Sequence, residues 1–312
     1  MANTTNQRNK TFTLNVGPVK PFLTIEEQVK LLKERGLEIR DEENAKDILR
    51  RTNYYRLSGY SLTLQTDDKY HEGVTFDRIY EIYKFDDAFR KLLLCYSLNV
   101  EVAFRSYIAH EHARVHGPLG YLDAANFVSA KFHQHFIENI TEEVERSDDL
   151  FVYHHKTHKG SVFPFWAVIE CASFRDLSKL YKNMFPAERT VISKQNYGLN
   201  REYVENWLQA ISVSRNIAAH SGRFYNRPLK AVRIKLPNKL VGVIRSDQAF
   251  AVLFAIYKLQ PTRALAIRLI EDLDSLLKKY SRDDKGYLGI PDDWKALLKA
   301  QMTRYKFTYH TK

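Results

Sequence analysis

Only two cysteines, Cys95 and Cys171, occur in the 312 residues. Two thiols cannot build a disulfide framework or a cysteine-based zinc cluster. No run of about 18 apolar residues exists, so no membrane-spanning helix is expected. The first ten residues, Met1 to Lys10, are polar and lack the apolar core of a signal peptide, which leads to a cytoplasmic expectation. Acidic residues are also in deficit. Lys and Arg number 48 against 37 Asp and Glu, a net charge of +11. Such an excess attracts polyanions, nucleic acid first among them, and speeds encounter with them. Charge alone does not separate a nucleic-acid binder from a protein that is merely basic. The apolar share is 44%, ordinary for a globular chain, and 19 Tyr and 18 Phe supply core or base-stacking rings.

The punctuation predicts helices. Residues 1–20 are polar, without periodicity, and read as a flexible tail. Thr24 and Glu27 have capping-box spacing and predict a helix to about Arg35, ended by Gly36. Asp41 caps a second helix, through about Arg51. Asn53 to Tyr60, Asn-Tyr-Tyr-Arg-Leu-Ser-Gly-Tyr, reads as an aromatic-rich break in which Tyr54 and Tyr55 are buried. Between about Thr75 and His116 lies the clearest helix. Phe85, Phe89, Leu92, Tyr96, Val100, Ala103 and Tyr107 step by three or four along one apolar stripe, with Asp86, Arg90, Lys91, Asn99, Glu101 and Arg105 off it. Gly117-Pro118 ends it. Further helices are expected at Ala130–Arg146, Trp166–Asn183, Arg201–Ser221, Ala249–Leu259 and Thr262–Tyr280. Tyr153 to Gly160 reads as a solvated His-rich loop, so His154, His155 and His158 are not taken as metal ligands. Val232–Leu236 and Leu240–Ile244 alternate around Pro237-Asn238 and predict a short β-hairpin. The fold class is all-α with that one hairpin. The boundaries drawn are a tail at 1–20, an N-terminal helical region at 21–74, a main helical domain at 75–295 and a basic tail at 296–312.

The chemistry concentrates in Arg215-Asn216-Ile217-Ala218-Ala219-His220. Five steps of about 100° put Arg215 and His220 roughly 140° apart, so they do not share a face of a straight helix. They converge only if the helix ends at His220 or if both line one groove. Ser221-Gly222 makes an ending there. Histidine titrates near neutral pH and suits proton transfer from a ribose 2′-OH. Arginine offers a donor fork that fits phosphate and its developing charge. Asn216 can orient the imidazole or bond the phosphate. Arg223 and Arg227 add positive charge and Asn226 a polar contact. An Arg and a His five apart also occur by chance in many helices. Arg105 and His110 repeat the spacing, but the wheel puts His110 on the apolar stripe as a half-buried residue, and Glu101 one turn before Arg105 as its partner.

These residues carry a resemblance. Arg215 to His220, followed by Ser-Gly-Arg-Phe-Tyr-Asn-Arg227, resembles the signature of HEPN ribonucleases, and more closely the Abi-like proteins of the AbiD/AbiF abortive-infection group. Asn53–Tyr60, Tyr83–Asp86 leading to Glu101–Arg105, Pro164-Phe-Trp166 with Glu170 and Phe174, and Gly289–Trp294 fit the same group in order, over about residues 21–295. The resemblance implies a HEPN-type helical bundle with an N-terminal helical extension. It implies a bacterial antiphage endoribonuclease that needs no metal or other cofactor and leaves a cyclic phosphate. Arg215, Asn216 and His220 take the catalytic positions. Arg223, Asn226 and Arg227 are expected RNA-binding residues, joined by Glu101 and, as a second-tier residue, Arg105, which the family resemblance brings to the cleft from a neighbouring helix. The implied partners are RNA and a second copy of the chain, the two copies forming one composite cleft, with no membrane involved. The alternatives are a non-cleaving protein that holds a structured small RNA, and the toxin of an RNA-regulated toxin–antitoxin pair. The Ala218–Gly222 stretch is smaller than the bulkier versions of the group, without loss of a required chemical group.

Overall fold

The computed structural model describes residue 17, residues 20–280 and residues 282–303. Most of the expected N-terminal tail, and the C-terminal tail beyond residue 303, lie outside the described residues. The elements run α1 (Ile25–Glu34), α2 (Glu42–Thr52), α3 (Tyr54–Ser58), β1 (Gln65–Thr66), β2 (Lys69–Tyr70), α4 (Phe76–His116), α5 (Ala130–Arg146), α6 (Leu150–His158), α7 (Phe165–Val168), α8 (Phe174–Asn183), α9 (Pro186–Tyr197), α10 (Arg201–Ala219), α11 (Ala249–Lys258), α12 (Arg263–Lys279) and α13 (Trp294–Ala300). The architecture is an all-α bundle. One cluster of buried side chains reaches from Val29 in α1 to Leu298 in α13.

Local chemistry sets several of these limits. Thr24 and Glu27 close a capping box on α1, and Asp41 caps α2. α4 is 41 residues long, capped by Thr75 and ended at Gly117. It packs against α7, α8, α9, α10, α11 and α12, and α10 packs against α4, α8, α9 and α11. The two helices therefore form the centre of the bundle.

That central position corrects the stripe drawn on α4. Phe85, Phe89, Leu92, Tyr96 and Val100 are buried, but so are Asp86, Arg90 and Glu101. A helix enclosed on several sides buries its polar face as well, and those groups survive because they are paired. His110, in contrast, is exposed. A straight helix drifts about 20° for every seven residues, so the heptad series Phe89, Tyr96, Ala103, His110 rotates away from the core.

Four other expectations differ. The hairpin at 232–244 does not form. Residues 232–236 do alternate in burial, but α10 takes their backbone groups: Asn206 Nδ2 donates to Arg233 O at 3.1 Å, Lys235 N donates to Asn206 Oδ1 at 2.6 Å, and Trp207 Nε1 donates to Lys235 O at 2.8 Å. Side chains substitute for a partner strand. The two-stranded pairing lies instead at β1–β2, where Asp67 and Asp68 have φ of 49° and 62°, the double positive φ of a tight hairpin turn. The His-rich stretch is helical, as α6. The helix expected at 166–183 is broken: Ser173 caps α8 through Asp176 N at 3.2 Å, which frees the Ala172 carbonyl. α9 was not expected, although Pro186 opens it and Gly198, at φ 66°, closes it.

Candidate active site at the end of the tenth helix

α10 ends as the sequence requires, but by an unexpected residue. His220 is the C-cap. Ser221 N donates to Ala218 O at 3.0 Å and Gly222 N donates to Ile217 O at 2.7 Å, the paired bonds of a Schellman motif. The left-handed position is taken by Ser221, at φ 55°, and not by the glycine. Gly222 answers a different need. A Cβ there would lie 2.8 Å from Ile217 Cγ2 and 3.0 Å from Ile217 O, so only glycine lets the turn fold back on α10.

The termination exposes His220 and Asn216 to solvent. Arg215 is two-thirds buried, and its Nη2 lies 3.9 Å from Glu101 Oε2 on α4. Its Nη1 donates to Asn216 Oδ1 at 3.4 Å. Glu101 is 5% exposed and joins two arginines, because its Oε1 accepts from Arg105 Nη2 at 2.8 Å. Arg105 Nη2 also donates to Ala172 O at 3.0 Å, the carbonyl freed by the break before α8. α4 thus contributes both the ion pair expected within it and a buried carboxylate facing Arg215. Oε2 of Glu101 and Nε of Arg215 are buried without a hydrogen-bond partner, so the pair holds a purely Coulombic contact in a sparsely solvated place. Beside it, Arg105, His110, Arg114, Trp166 and Glu170 line a groove of about 550 Å³.

The turn after His220 is anchored from distant parts of the chain, by Arg56 and Asp86, to which sequence reasoning assigned no role, and by Arg223. Arg56 Nη1 donates to Ser221 O at 2.6 Å. Arg223 donates to Gly59 O and lies over the Tyr60 ring, 6.0 Å from its centroid. Asp86 is fully buried and accepts from Phe224 N at 3.1 Å, Tyr225 N at 2.8 Å and Tyr60 Oη at 2.7 Å, with Arg90 as its ion partner. Burial pushes the Asp86 carboxyl above its ordinary range, and Arg90 and the three donors oppose that shift. Asn226, exposed and at φ 47°, donates its N–H to Tyr287 O at 3.0 Å. Arg227 is exposed and donates Nη1 to Arg223 O at 3.3 Å.

Arg223, expected among free phosphate ligands, therefore has a structural partner, while Arg227 and Asn226 stay open to solvent. Tyr55, next to Arg56, is 86% exposed, against the buried packing expected of it, and Tyr54 is half-buried with its hydroxyl accepting from Arg35 at 3.2 Å. The Asn53–Tyr60 and Tyr83–Asp86 stretches had signalled themselves only as motifs. Their contacts hold the turn of the 215–227 segment.

A family model described as Abi-like protein matches residues 47–226, more than half of the chain. The chain belongs to the Abi-like family. The match contains Asn53–Tyr60, Asp86, Glu101, Arg105, Trp166, Arg215 and His220, and excludes Gly289–Trp294. Membership points to abortive-infection defence, in which an infected cell stops supporting the virus. No curated protein and no solved structure matches the chain. Among the described residues of this Abi-like protein, no helix is long and apolar enough to cross a membrane.

Proposed function

We propose that this Abi-like protein is a metal-independent endoribonuclease of abortive-infection defence, with a HEPN-type site at Arg215, Asn216 and His220. One observation carries the reading. A helix ends at His220 and leaves its imidazole exposed, while a buried carboxylate from α4 holds Arg215 five residues earlier. A bare Arg-x4-His spacing has no reason to recruit a buried Glu101 from another helix. A guanidinium oriented for an anion does.

In the reaction, His220 removes the proton from a ribose 2′-OH, and that oxygen bonds to the adjacent phosphorus. The bond from phosphorus to the 5′-oxygen breaks, leaving a 2′,3′-cyclic phosphate and a 5′-hydroxyl that takes up a proton. Arg215 neutralises charge on the non-bridging oxygens, and Asn216 orients the phosphate or the imidazole. The acid and the base are two groups, and the motif supplies one histidine per chain. A composite cleft from two copies, each contributing His220, meets that need. Arg227 and Asn226 extend the anion surface, and Glu101 and Arg105 position Arg215.

The test is expression of wild type beside His220→Ala and Arg215→Ala, with total RNA sequenced for new ends, and cleavage by purified protein in the presence of a chelator. His220 is exposed, so His220→Ala folds. Loss of one general acid–base group lowers cleavage by about 10²–10⁴-fold. Equal cleavage by wild type and His220→Ala sinks the assignment. Tight RNA binding without cleavage, unchanged in His220→Ala, favours the RNA-holding alternative.

A further inference from the structure

The far end of α4 carries a cluster that the site above does not use. His112 and His116, four residues apart, lie on one face of the helix, and Glu188 faces them from the first turn of α9. One donor atom from each lies within 4.8 Å of the others. His112 Nδ1 is 2.9 Å and His116 Nε2 is 3.6 Å from the same oxygen, Glu188 Oε1. Zinc binds imidazole and carboxylate at about 2.0–2.2 Å, so tetrahedral ligand atoms sit roughly 3.3 Å apart. The two separations straddle that value.

Burial makes a bland account costly. The side chains of His112, Glu188 and His116 are 0%, 3% and 14% exposed. Nε2 of His116, which faces Glu188, is buried without a hydrogen-bond partner, and so is Nε2 of His112. Glu188 Oε2 is occupied by Phe185 N at 3.1 Å, which leaves Oε1 as the only acceptor for two imidazoles. Phe127 and Phe165 pack against the His112 ring, at 4.7 and 5.2 Å between centroids. The chain also closes over the cluster: a Cβ on Gly120 would lie 2.4 Å from His116 Cβ. A buried polar nitrogen left unpaired is destabilising, and a cation bound between His112 Nδ1, His116 Nε2 and Glu188 Oε1 satisfies the His116 nitrogen.

We propose that His112, His116 and Glu188 bind one divalent transition metal of the zinc class. Two nitrogens and one carboxylate oxygen are a donor set suited to such ions. The ion clamps the end of α4 to the start of α9, and α9 packs on α10. Its ligands take no part in the proton transfers proposed at His220, so the two readings stand or fall separately.

The experiment uses the full chain purified without a histidine tag. Elemental analysis is expected to find about one zinc-class ion per chain. After chelation, Zn²⁺ restores thermal stability, and Co²⁺, with a solvent oxygen as the fourth ligand beside the three side chains, gives the visible absorption bands of a tetrahedral nitrogen–oxygen site. His116→Gln and Glu188→Gln abolish the bands and the zinc-dependent rise in Tm. His154→Ala with His158→Ala, on the exposed face of α6, leaves both intact. Because a core variant can fail to fold, the wild-type Co²⁺ spectrum and metal content are decisive by themselves. Substoichiometric metal, no Tm response to Zn²⁺, or bands that persist in His116→Gln but vanish in the α6 variant overturn the proposal.

Discussion

At the scale of single residues, the turn after His220 separates two roles that a Ser-Gly pair conceals. Ser221 holds the left-handed conformation at φ 55°, which costs a residue with a Cβ about 1–2 kcal/mol. Ser221→Gly is therefore expected to stabilise the protein, by about 0.5–1 kcal/mol once the extra freedom of glycine in the unfolded chain is deducted. Gly222→Ala should do the opposite, by about 1–3 kcal/mol, because its methyl group meets Ile217. Denaturant titrations of the two variants read both signs, and a stabilised Gly222→Ala contradicts the geometry. His220, Asn216 and Arg215 were legible from their chemistry. Asp86 and Arg56 were not, because their partners lie far away in the chain. No periodicity announces that a carboxylate on α4 will receive the amides of residues 224 and 225.

At the scale of elements, the helices with strong punctuation were legible and those with tertiary terminations were not. α1 and α2 follow from their caps and α4 from its periodicity. The breaks around Ala172 and after residue 232 depend on hydrogen bonds from Arg105 and Asn206, which lie on other helices. α11 shows how deep the packing goes, since Ala249 to Tyr257 are all buried and only its last residue is a cation. Lys258 donates to Gln301 O at 2.6 Å, and burial, helped by Lys239, pulls its amine down to about 8 from 10.5. Below pH 8 the amine is charged in both the folded and unfolded states, and the burial cost is fully present. Between pH 8 and 10.5 the folded state has released its proton and the unfolded state has not, so stability rises with pH across that window. Lys258→Met removes the effect. Its stability advantage over wild type, read as a difference in Tm, should be largest near pH 7 and shrink toward pH 10.5. A difference independent of pH would show that the amine is not buried in solution.

At the scale of the whole molecule, charge and shape act together. On the proposed reading, the excess of 11 positive charges draws RNA, and the exposed Arg227 and the one-third exposed Arg215 receive its phosphates. Affinity should then depend steeply on salt. With about four phosphates neutralised, a slope near −0.7 for each predicts a loss of roughly 50-fold between 50 and 200 mM salt. Fluorescence anisotropy with a single-stranded RNA measures it, and a slope near zero removes nucleic acid from the account. Arg227→Ala should flatten the slope by nearly one phosphate. Arg223→Ala should instead lower stability, because its guanidinium holds Gly59.

The sequence by itself determined the all-α class, the basic surface, most helix limits and the residue types able to move a proton beside a phosphate. Those follow from local forces: caps, periodicity and the intrinsic chemistry of Arg, Asn and His. Tertiary structure alone decided that Arg215 faces Glu101, that Arg223 serves as a strut, that His110 leaves the core, and that His112, His116 and Glu188 meet. Each of these depends on which helix is enclosed by which, and a one-dimensional pattern records the faces of a helix without naming the neighbours that cover them.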